Sequence, residues 1–183
     1  MRIHKEQSGK NRPERTDRRE QTVRFRSGMT DEEVWMMDKP LVYAVTGYKN
    51  SGKTWLMEKL VSRLTGEGYR VAVIKHDGHD FEPDVPGTDS YRHRKAGACG
   101  NAVFSGSRFM VTRTWPKEDR PADPFLAAEK LMEFFPDADI ILVEGLKHAS
   151  YPRYICRYPE EVPDQEAAYQ EIIQLLGRSR QEN

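Results

Sequence analysis

Residues 47–54 have the sequence Gly47-Tyr48-Lys49-Asn50-Ser51-Gly52-Lys53-Thr54, which fits the pattern G-x-x-x-x-G-K-[ST] at every position. The apolar run LVYAVTG (41–47) leads into this segment, and residues 53–66 carry leucines at helical spacing. The pattern therefore stands between a predicted strand and a predicted helix. That is the context in which it forms a phosphate-binding loop.

Each residue type has a physical role in such a loop. Gly47 and Gly52 let the backbone turn tightly around a phosphate, where a side chain would intrude. Backbone N–H groups and the N-terminus of the following helix then face the anion. Lys53 is expected to reach the β- and γ-phosphates as a catalytic cation, and the Thr54 hydroxyl is expected to ligate Mg²⁺. We therefore predict that residues 47–54 bind a nucleoside triphosphate.

Strands alternate with helices on both sides of the loop. The predicted strands are 41–47, 69–76, 100–105, 108–112 and 139–145, and the predicted helices are 53–66, 88–97, 123–135 and 165–177. Continuous apolar strands alternating with helices indicate a mostly parallel sheet covered on both faces. The predicted fold of residues 39–183 is therefore an α/β, three-layer P-loop NTPase sandwich, and ligands should bind beyond the carboxyl ends of its strands.

Two carboxylates follow predicted strands at that edge of the sheet. Glu144 ends the apolar run Ile140-Ile141-Leu142-Val143, and Asp77 follows the second predicted strand. Mg²⁺ prefers oxygen ligands, so we predict that Thr54, Asp77 and Glu144 hold the metal and that both acids serve catalysis. For either acid the alternative is a solvated loop position.

The bulk composition limits the partners. Among 183 residues, 29 Lys+Arg balance 29 Asp+Glu, so no net charge attracts nucleic acid or an anionic membrane to the whole surface. Residues 1–28 differ, with nine Lys/Arg against four Asp/Glu and few aliphatic side chains. We interpret residues 1–38 as a polar, disordered arm. The alternative, a nucleic-acid contact, is disfavoured because no aromatic platform interleaves the charges.

Cysteine usage and hydropathy indicate the compartment. Cys99 and Cys156 are far apart and form no CxxC pair, so free thiols in a reducing environment are expected. No apolar run approaches the ~20 residues needed to span a bilayer. The N-terminus lacks the apolar core of a signal peptide. We therefore expect a cytoplasmic protein without membrane contact.

Five segments occur in an order that resembles one known family. They are Val45–Thr54, Ile74-Lys75-His76-Asp77-Gly78-His79, Pro86-Gly87-Thr88-Asp89-Ser90-Tyr91-Arg92, Ala96-Gly97-Ala98 and Leu142-Val143-Glu144-Gly145-Leu146-Lys147. The series is similar to the molybdopterin-guanine dinucleotide biosynthesis protein B family, over residues 41–158. The loop pattern alone is unspecific, whereas K-H-D-G-H, P-G-x-D-S and V-E-G-x-K in series are specific.

The resemblance implies a homodimeric GTP-binding protein with weak GTPase activity. It implies an accessory role beside the guanylyltransferase that attaches GMP to molybdopterin, which yields the guanine dinucleotide form of the molybdenum cofactor. The apolar strands around Val103–Val111 are then the expected dimer interface. The resemblance also supports Asp77, because in related P-loop proteins an Asp after the second strand supports the metal or its water.

Two further groups carry open alternatives. Asp89 and Arg92 lie on one predicted short helix. In one interpretation Asp89 caps the helix and both side chains belong to its solvated face. In the other they contact the triphosphate or the phosphate of a molybdopterin-type ligand. We keep both as candidate binding residues. His76 and His79 lie in one irregular loop and are a candidate zinc pair, although no other Cys or His pair has metal-ligand spacing.

The residues alone leave the base and the reaction open. Ile74-Lys75-His76-Asp77 looks like the guanine-reading [NT]-K-x-D of many GTPases, but its first residue is Ile and it precedes the strand that ends at Glu144. It cannot form the usual base pocket by simple analogy, so the choice of GTP over ATP rests on the resemblance. The alternative function is a small-molecule kinase on the same scaffold, with residues 113–123 as a lid.

Overall fold

A computed structural model describes residues 39–148 and 150–179, so the predictions for residues 1–38 lie outside the described part of the chain. In chain order the elements are β1 (Leu41–Gly47), α1 (Lys53–Gly66), β2 (Val71–Lys75), α2 (Asp89–Lys95), β3 (Gly100–Phe104), β4 (Phe109–Arg113), α3 (Pro124–Met132), β5 (Ile140–Glu144), β6 (Arg153–Cys156) and α4 (Gln165–Ser179). None of the helices described has the length and apolar composition needed to cross a bilayer.

The main sheet is parallel and has β1 in an inner position. Within the described residues it contains four strands in the order β2-β5-β1-β6. Val45 pairs with Glu144, Lys75 also pairs with Glu144, and Gly47 pairs with Cys156. The carboxyl ends of all these strands therefore meet at one edge, which is where ligands bind in open α/β sheets.

The sheet is covered on both faces because its inner strands are apolar except near their carboxyl ends, where Thr46 and Glu144 lie. Alternate side chains of β1 and β5 point to opposite faces. One face packs under α1 and α4, and its buried side chains include Tyr43, Val45, Leu56, Leu60, Ile140, Leu142 and Ile172. The other packs against α3, and its buried side chains include Ala44, Ala128, Ile141 and Val143. The predicted three-layer α/β fold is therefore confirmed.

Some predicted boundaries shift for local reasons. The bounds of β1 and α1 agree with the prediction, and β2 is shorter than the predicted 69–76. Helix α3 ends at Met132 rather than at residue 135, because the next residues form tighter turns in which Phe134 N–H donates to the Leu131 carbonyl. Strand β6 was not predicted, because Arg-Tyr-Ile-Cys is only four residues long and begins with a charge.

Strands β3 and β4 form a hairpin of their own. They pair antiparallel with each other, and in the described part of the chain they share no strand pairing with the main sheet. The hairpin exposes much apolar surface, with Phe104 at 83% and Phe109 at 80% exposure. Monomeric domains rarely leave a large contiguous apolar patch in water. The hairpin therefore has the surface character expected of an interface, and the dimer itself stays a prediction.

Two valines on neighbouring strands test the packing of the sheet. Val143 on β5 is fully buried, whereas Val73 on β2 is 44% exposed. We expect Val143→Ala to lower the free energy of unfolding by roughly 1–3 kcal/mol through lost burial and a residual cavity. Val73→Ala makes the same chemical change and should cost less than about 1 kcal/mol. Urea denaturation measures both, and equal losses would contradict the burial of Val143 beneath α3.

Candidate nucleotide-binding site

The loop after β1 follows a path that only glycine allows at its first position. Gly47 has φ +146°, and a Cβ there would lie 2.4 Å from Ser51 Oγ and 2.5 Å from the Cys156 carbonyl oxygen. Asn50 and Gly52 also have positive φ, at +62° and +88°. Asn is among the few non-glycine residues that tolerate this region. The loop therefore curls back against β6, and two of its residues adopt the left-handed conformation that anion-binding loops use.

Helix α1 begins without a side-chain cap, unlike the other described helices. Thr88 accepts from Tyr91 N–H at the start of α2, and Asp123 accepts from Leu126 N–H at the start of α3. Asp164 caps α4 by accepting from two backbone N–H groups at 2.9 and 3.0 Å. At α1, Gly52 makes no side-chain cap hydrogen bond, and no acid lies in the first turn. The N–H groups of α1 therefore remain available to an anion.

Lys53 and Ser51 add polar groups to the same loop. Lys53 Nζ donates to the Tyr48 carbonyl at 2.5 Å, so the ammonium lies over the loop backbone. Ser51 is 1% exposed, and its hydroxyl has no hydrogen-bond partner among the described residues. A buried hydroxyl without a partner is costly unless a ligand or water satisfies it. An ammonium, an orphaned hydroxyl and an uncapped helix N-terminus together fit a phosphate group.

Thr54 and Glu144 meet beside the loop. Thr54 Oγ1 lies 3.5 Å from Glu144 Oε1, and Lys75 Nζ lies 3.4 Å from the same carboxylate oxygen. Glu144 is 8% exposed, so Lys75 pairs with a buried carboxylate that also lies next to a hydroxyl. The pair of Thr54 and Glu144 is suited to magnesium. The role of Lys75 was missed, because its pairing with Glu144 depends on the strand order rather than on any motif.

Asp77 stands at the same edge but makes a local contact. It is exposed, and its Oδ1 accepts from the His79 backbone N–H at 3.2 Å, within the loop after β2. No group of three or more His, Cys, Asp and Glu side chains in residues 39–148 and 150–179 is arranged to hold a metal ion. The zinc alternative for His76 and His79 therefore lacks a ligand set in this part of the chain.

Asp89 and Arg92 lie on α2 and pair with each other. Their side chains are 3.7 Å apart, and both are largely exposed. The helix is capped by Thr88 and not by Asp89, so the capping alternative for Asp89 was wrong. An exposed ion pair of this kind contributes little to stability. Both side chains therefore remain accessible to a ligand.

The segment after β5 turns back over the loop. Gly145 and Leu146 have φ +102° and +51°, and they place the Lys147 ammonium 4.1 Å from the centre of the Tyr48 ring. Arg153 Nη1 donates to the Lys147 carbonyl at 2.7 Å. Lys147 had no predicted role. The segment V-E-G-x-K could have indicated this role. Its glycine, Gly145, allows the bend, and its lysine, Lys147, comes two residues later.

Cys156 forms the floor of the loop beside Gly47. The residue is 1% exposed, and both cysteines are free thiols. Burial raises the pKa of the Cys156 thiol to about 11, with the nearby Lys53 charge opposing that shift. The thiol is therefore protonated at neutral pH and serves as an apolar wall rather than as a nucleophile.

Comparison with known proteins places this site in a family. The sequence model of the family described as "Molybdopterin guanine dinucleotide synthesis protein B" (MobB) matches residues 42–176, which include the phosphate loop, both carboxylates and α4. The chain belongs to the MobB family. The family resemblance seen in the sequence motifs is thereby confirmed.

Two relatives and one solved structure illustrate the match. A protein named "Molybdopterin-guanine dinucleotide biosynthesis adapter protein" from Escherichia coli is 38% identical over 112 residues, 61% of this chain and 62% of that protein's length. A "Probable molybdopterin-guanine dinucleotide biosynthesis adapter protein" from Bacillus subtilis is 30% identical over 147 residues, 76% of this chain and 78% of its own. The crystal structure of Bacillus subtilis MobB matches with TM-score 0.52 and 30% identity, covering 66% of this chain and 69% of that one.

Two glycines test the geometry of the loop. Gly47→Ala places a Cβ against Ser51 and Cys156 at positive φ, whereas a Cβ at Gly106 meets no atom within 4 Å. We expect Gly47→Ala to lower the free energy of unfolding by about 1–3 kcal/mol and to abolish triphosphate binding. Gly106→Ala should stay within about 0.5 kcal/mol of the parent. Urea denaturation and calorimetry measure the two effects. A Gly47→Ala protein with the stability and triphosphate affinity of the parent would contradict the loop path.

Proposed function

We propose that this MobB-family protein binds GTP with Mg²⁺ through residues 47–54, hydrolyses it slowly, and acts as an adapter in the formation of molybdopterin guanine dinucleotide. The observation that carries the proposal is the anion cradle of the loop. There Gly47 admits no side chain, α1 has no side-chain cap and Lys53 lies over the backbone. The family description and the names of the curated relatives support the pathway.

Each residue of the site has a role in this proposal. The N–H groups of the loop and of α1, with Lys53 and Ser51, would hold the phosphates. Thr54 and Glu144 would hold Mg²⁺, which when bound neutralises charge between the β- and γ-phosphates. Asp77, at the same edge of the sheet, would contact the metal or its water. Asp89 and Arg92 are proposed to contact a phosphate of the triphosphate or of a molybdopterin-type ligand.

Slow hydrolysis follows from the charges around Glu144. Its carboxylate pairs with Lys75 and contacts Thr54, so it is not free to act as a base toward water, and we assign it to the metal beside Thr54. Asp77 accepts a hydrogen bond from the His79 N–H, a contact local to its own loop. In this proposal the described residues position and neutralise the phosphates, and an attacking water is poorly oriented until a partner closes the site. A partner that closes the site would complete it.

The proposed partners are a second copy of this chain and the guanylyltransferase that attaches GMP to molybdopterin. The β3–β4 hairpin supplies the apolar surface for the first, since Val103, Phe104, Phe109 and Val111 are all exposed. A dimer built there would carry two phosphate loops. The guanylyltransferase is proposed because the relatives are named as adapters of this synthesis.

Two lysines of α1 provide the main test. Lys53→Ala removes a charge-assisted phosphate contact worth about 1.5–3 kcal/mol, so we expect GTP·Mg²⁺ affinity to fall about 10–100-fold. Lys59 on the same helix is exposed and lies 5.9 Å from the Trp55 ring centre, so Lys59→Ala should leave affinity unchanged. Calorimetry measures both variants.

The same variants test the adapter role. Reconstitution of molybdopterin guanine dinucleotide with guanylyltransferase should improve on adding the parent protein or Lys59→Ala, and not on adding Lys53→Ala. Light scattering should give the mass of a dimer. A monomer that rapidly phosphorylates a small acceptor, without effect on guanylyl transfer, would support the kinase alternative and contradict the adapter role.

Carboxamide substitutions test the metal assignment. Glu144→Gln and Asp77→Asn should each slow GTP hydrolysis about 10-fold or more and weaken its response to Mg²⁺, because each removes a charged metal contact. Nucleotide should still bind through the loop. Asp80→Asn, a nearby exposed acid in the same loop, is the matched control. An unchanged magnesium response in both variants would show that Thr54 acts with water alone.

A further inference from the structure

The segment that follows β6 (residues 157–163, the post-β6 segment) lies against the phosphate loop. Its position is set by β6, whose last residue, Cys156, pairs with Gly47. A Cβ at Gly52 would stand 2.8 Å from Pro163 Cγ and 3.9 Å from Tyr158 Cβ. Residues from both ends of the post-β6 segment therefore border the start of α1.

Backbone hydrogen bonds form a turn within the post-β6 segment, and a further bond joins the residue after it to β6. Near its start, the backbone N–H groups of Glu160 and Glu161 donate to the Arg157 carbonyl at 2.9 and 3.3 Å. After its end, the Asp164 N–H donates to the Tyr154 hydroxyl at 2.8 Å, while the Asp164 carboxylate caps α4. The segment therefore turns on itself near its start, and the residue after its end is joined to β6 through Tyr154.

The sheet order gives the direction in which a bound triphosphate must run. Strand β1 lies between β5 and β6, so the loop has one flank toward each. Thr54 and Glu144 lie on the β5 flank, which assigns the metal and the terminal phosphates to that side. With the metal on the β5 flank, the free side on which the nucleoside would leave is the β6 flank, beside the post-β6 segment.

The β6 flank carries an exposed aromatic ring. Tyr158 is 52% exposed, and Val162 on the same segment is 69% exposed. Tyr48, on the loop itself, lies against Lys147, which follows β5, so that ring belongs to the metal flank. An aromatic face beside a phosphate site is suited to stacking on a nucleobase.

We propose that Tyr158 stacks on the base of the bound nucleotide and that the post-β6 segment is the base subsite. The inference rests on the proposed binding of a nucleoside triphosphate to residues 47–54. It makes Tyr158 a binding residue for the base, whereas Lys53 and the loop bind phosphate. Because the two groups of contacts are separate, a ligand without a base distinguishes them.

The test compares Mg²⁺–GTP with Mg²⁺–tripolyphosphate by calorimetry. Tyr158→Ala should weaken GTP binding about 5- to 100-fold, the range for losing an aromatic stack, and leave tripolyphosphate binding unchanged. Tyr158→Phe keeps the ring and should bind GTP like the parent. Phe134, an exposed aromatic that follows α3 and is 72% exposed, provides the matched control Phe134→Ala. Urea denaturation confirms that each variant is folded.

Other outcomes separate this inference from the proposed function. Unchanged GTP affinity in Tyr158→Ala, or an equal loss for GTP and tripolyphosphate, would overturn the base subsite while leaving phosphate binding in place. A parent protein that binds neither ligand would remove the proposed function, and the subsite with it. Should tripolyphosphate bind too weakly to measure, the loss of GTP binding in Tyr158→Ala and its retention in Tyr158→Phe still decide the question.

Discussion

The close approach of Gly47 to Ser51 and to the Cys156 carbonyl is the contact on which the site depends. It brings the end of β1 against the end of β6 and curls the loop so that α1 starts above the sheet edge. The direction of α1 then places Leu56 and Leu60 over Tyr43 and Val45. One steric requirement, the absence of a Cβ, therefore links phosphate binding to the packing of a whole face of the sheet.

The distribution of buried polar groups separates the stabilising part of the fold from the binding part. Among the described residues, the buried polar or charged side chains are Thr46, Ser51 and Glu144, and all three lie at the carboxyl edge of β1 and β5. The remainder of the core is apolar, which stabilises the sheet without polar demands. Burying a polar side chain costs free energy, and at this edge a bound ligand can offset that cost. The groups suited to binding therefore lie together at one edge of the sheet.

Sequence patterns predicted the parts of the fold that are local. The loop, α1 and the inner strands follow from a motif and from apolar runs, because those signals lie within one segment. Three features depend on distant partners and were not predictable: the short edge strand β6, the Lys75–Glu144 pair, and the packing of Pro163 on Gly52. The cap of α2 was expected at Asp89 as one alternative, and the structure places it at Thr88, because either residue type can cap a helix and only the geometry distinguishes them.

The β3–β4 hairpin is separate from the main sheet, so its sequence can vary independently of the sheet. The two sheets share no strand pairing among the described residues, and the hairpin is tied to α2 by a bond from Asn101 Nδ2 to the Ser90 carbonyl at 2.8 Å. Substitutions on the outer faces of the hairpin therefore leave the loop path, the cores and Glu144 untouched. A lineage can therefore vary this exposed apolar surface while the phosphate loop and Glu144 stay constant.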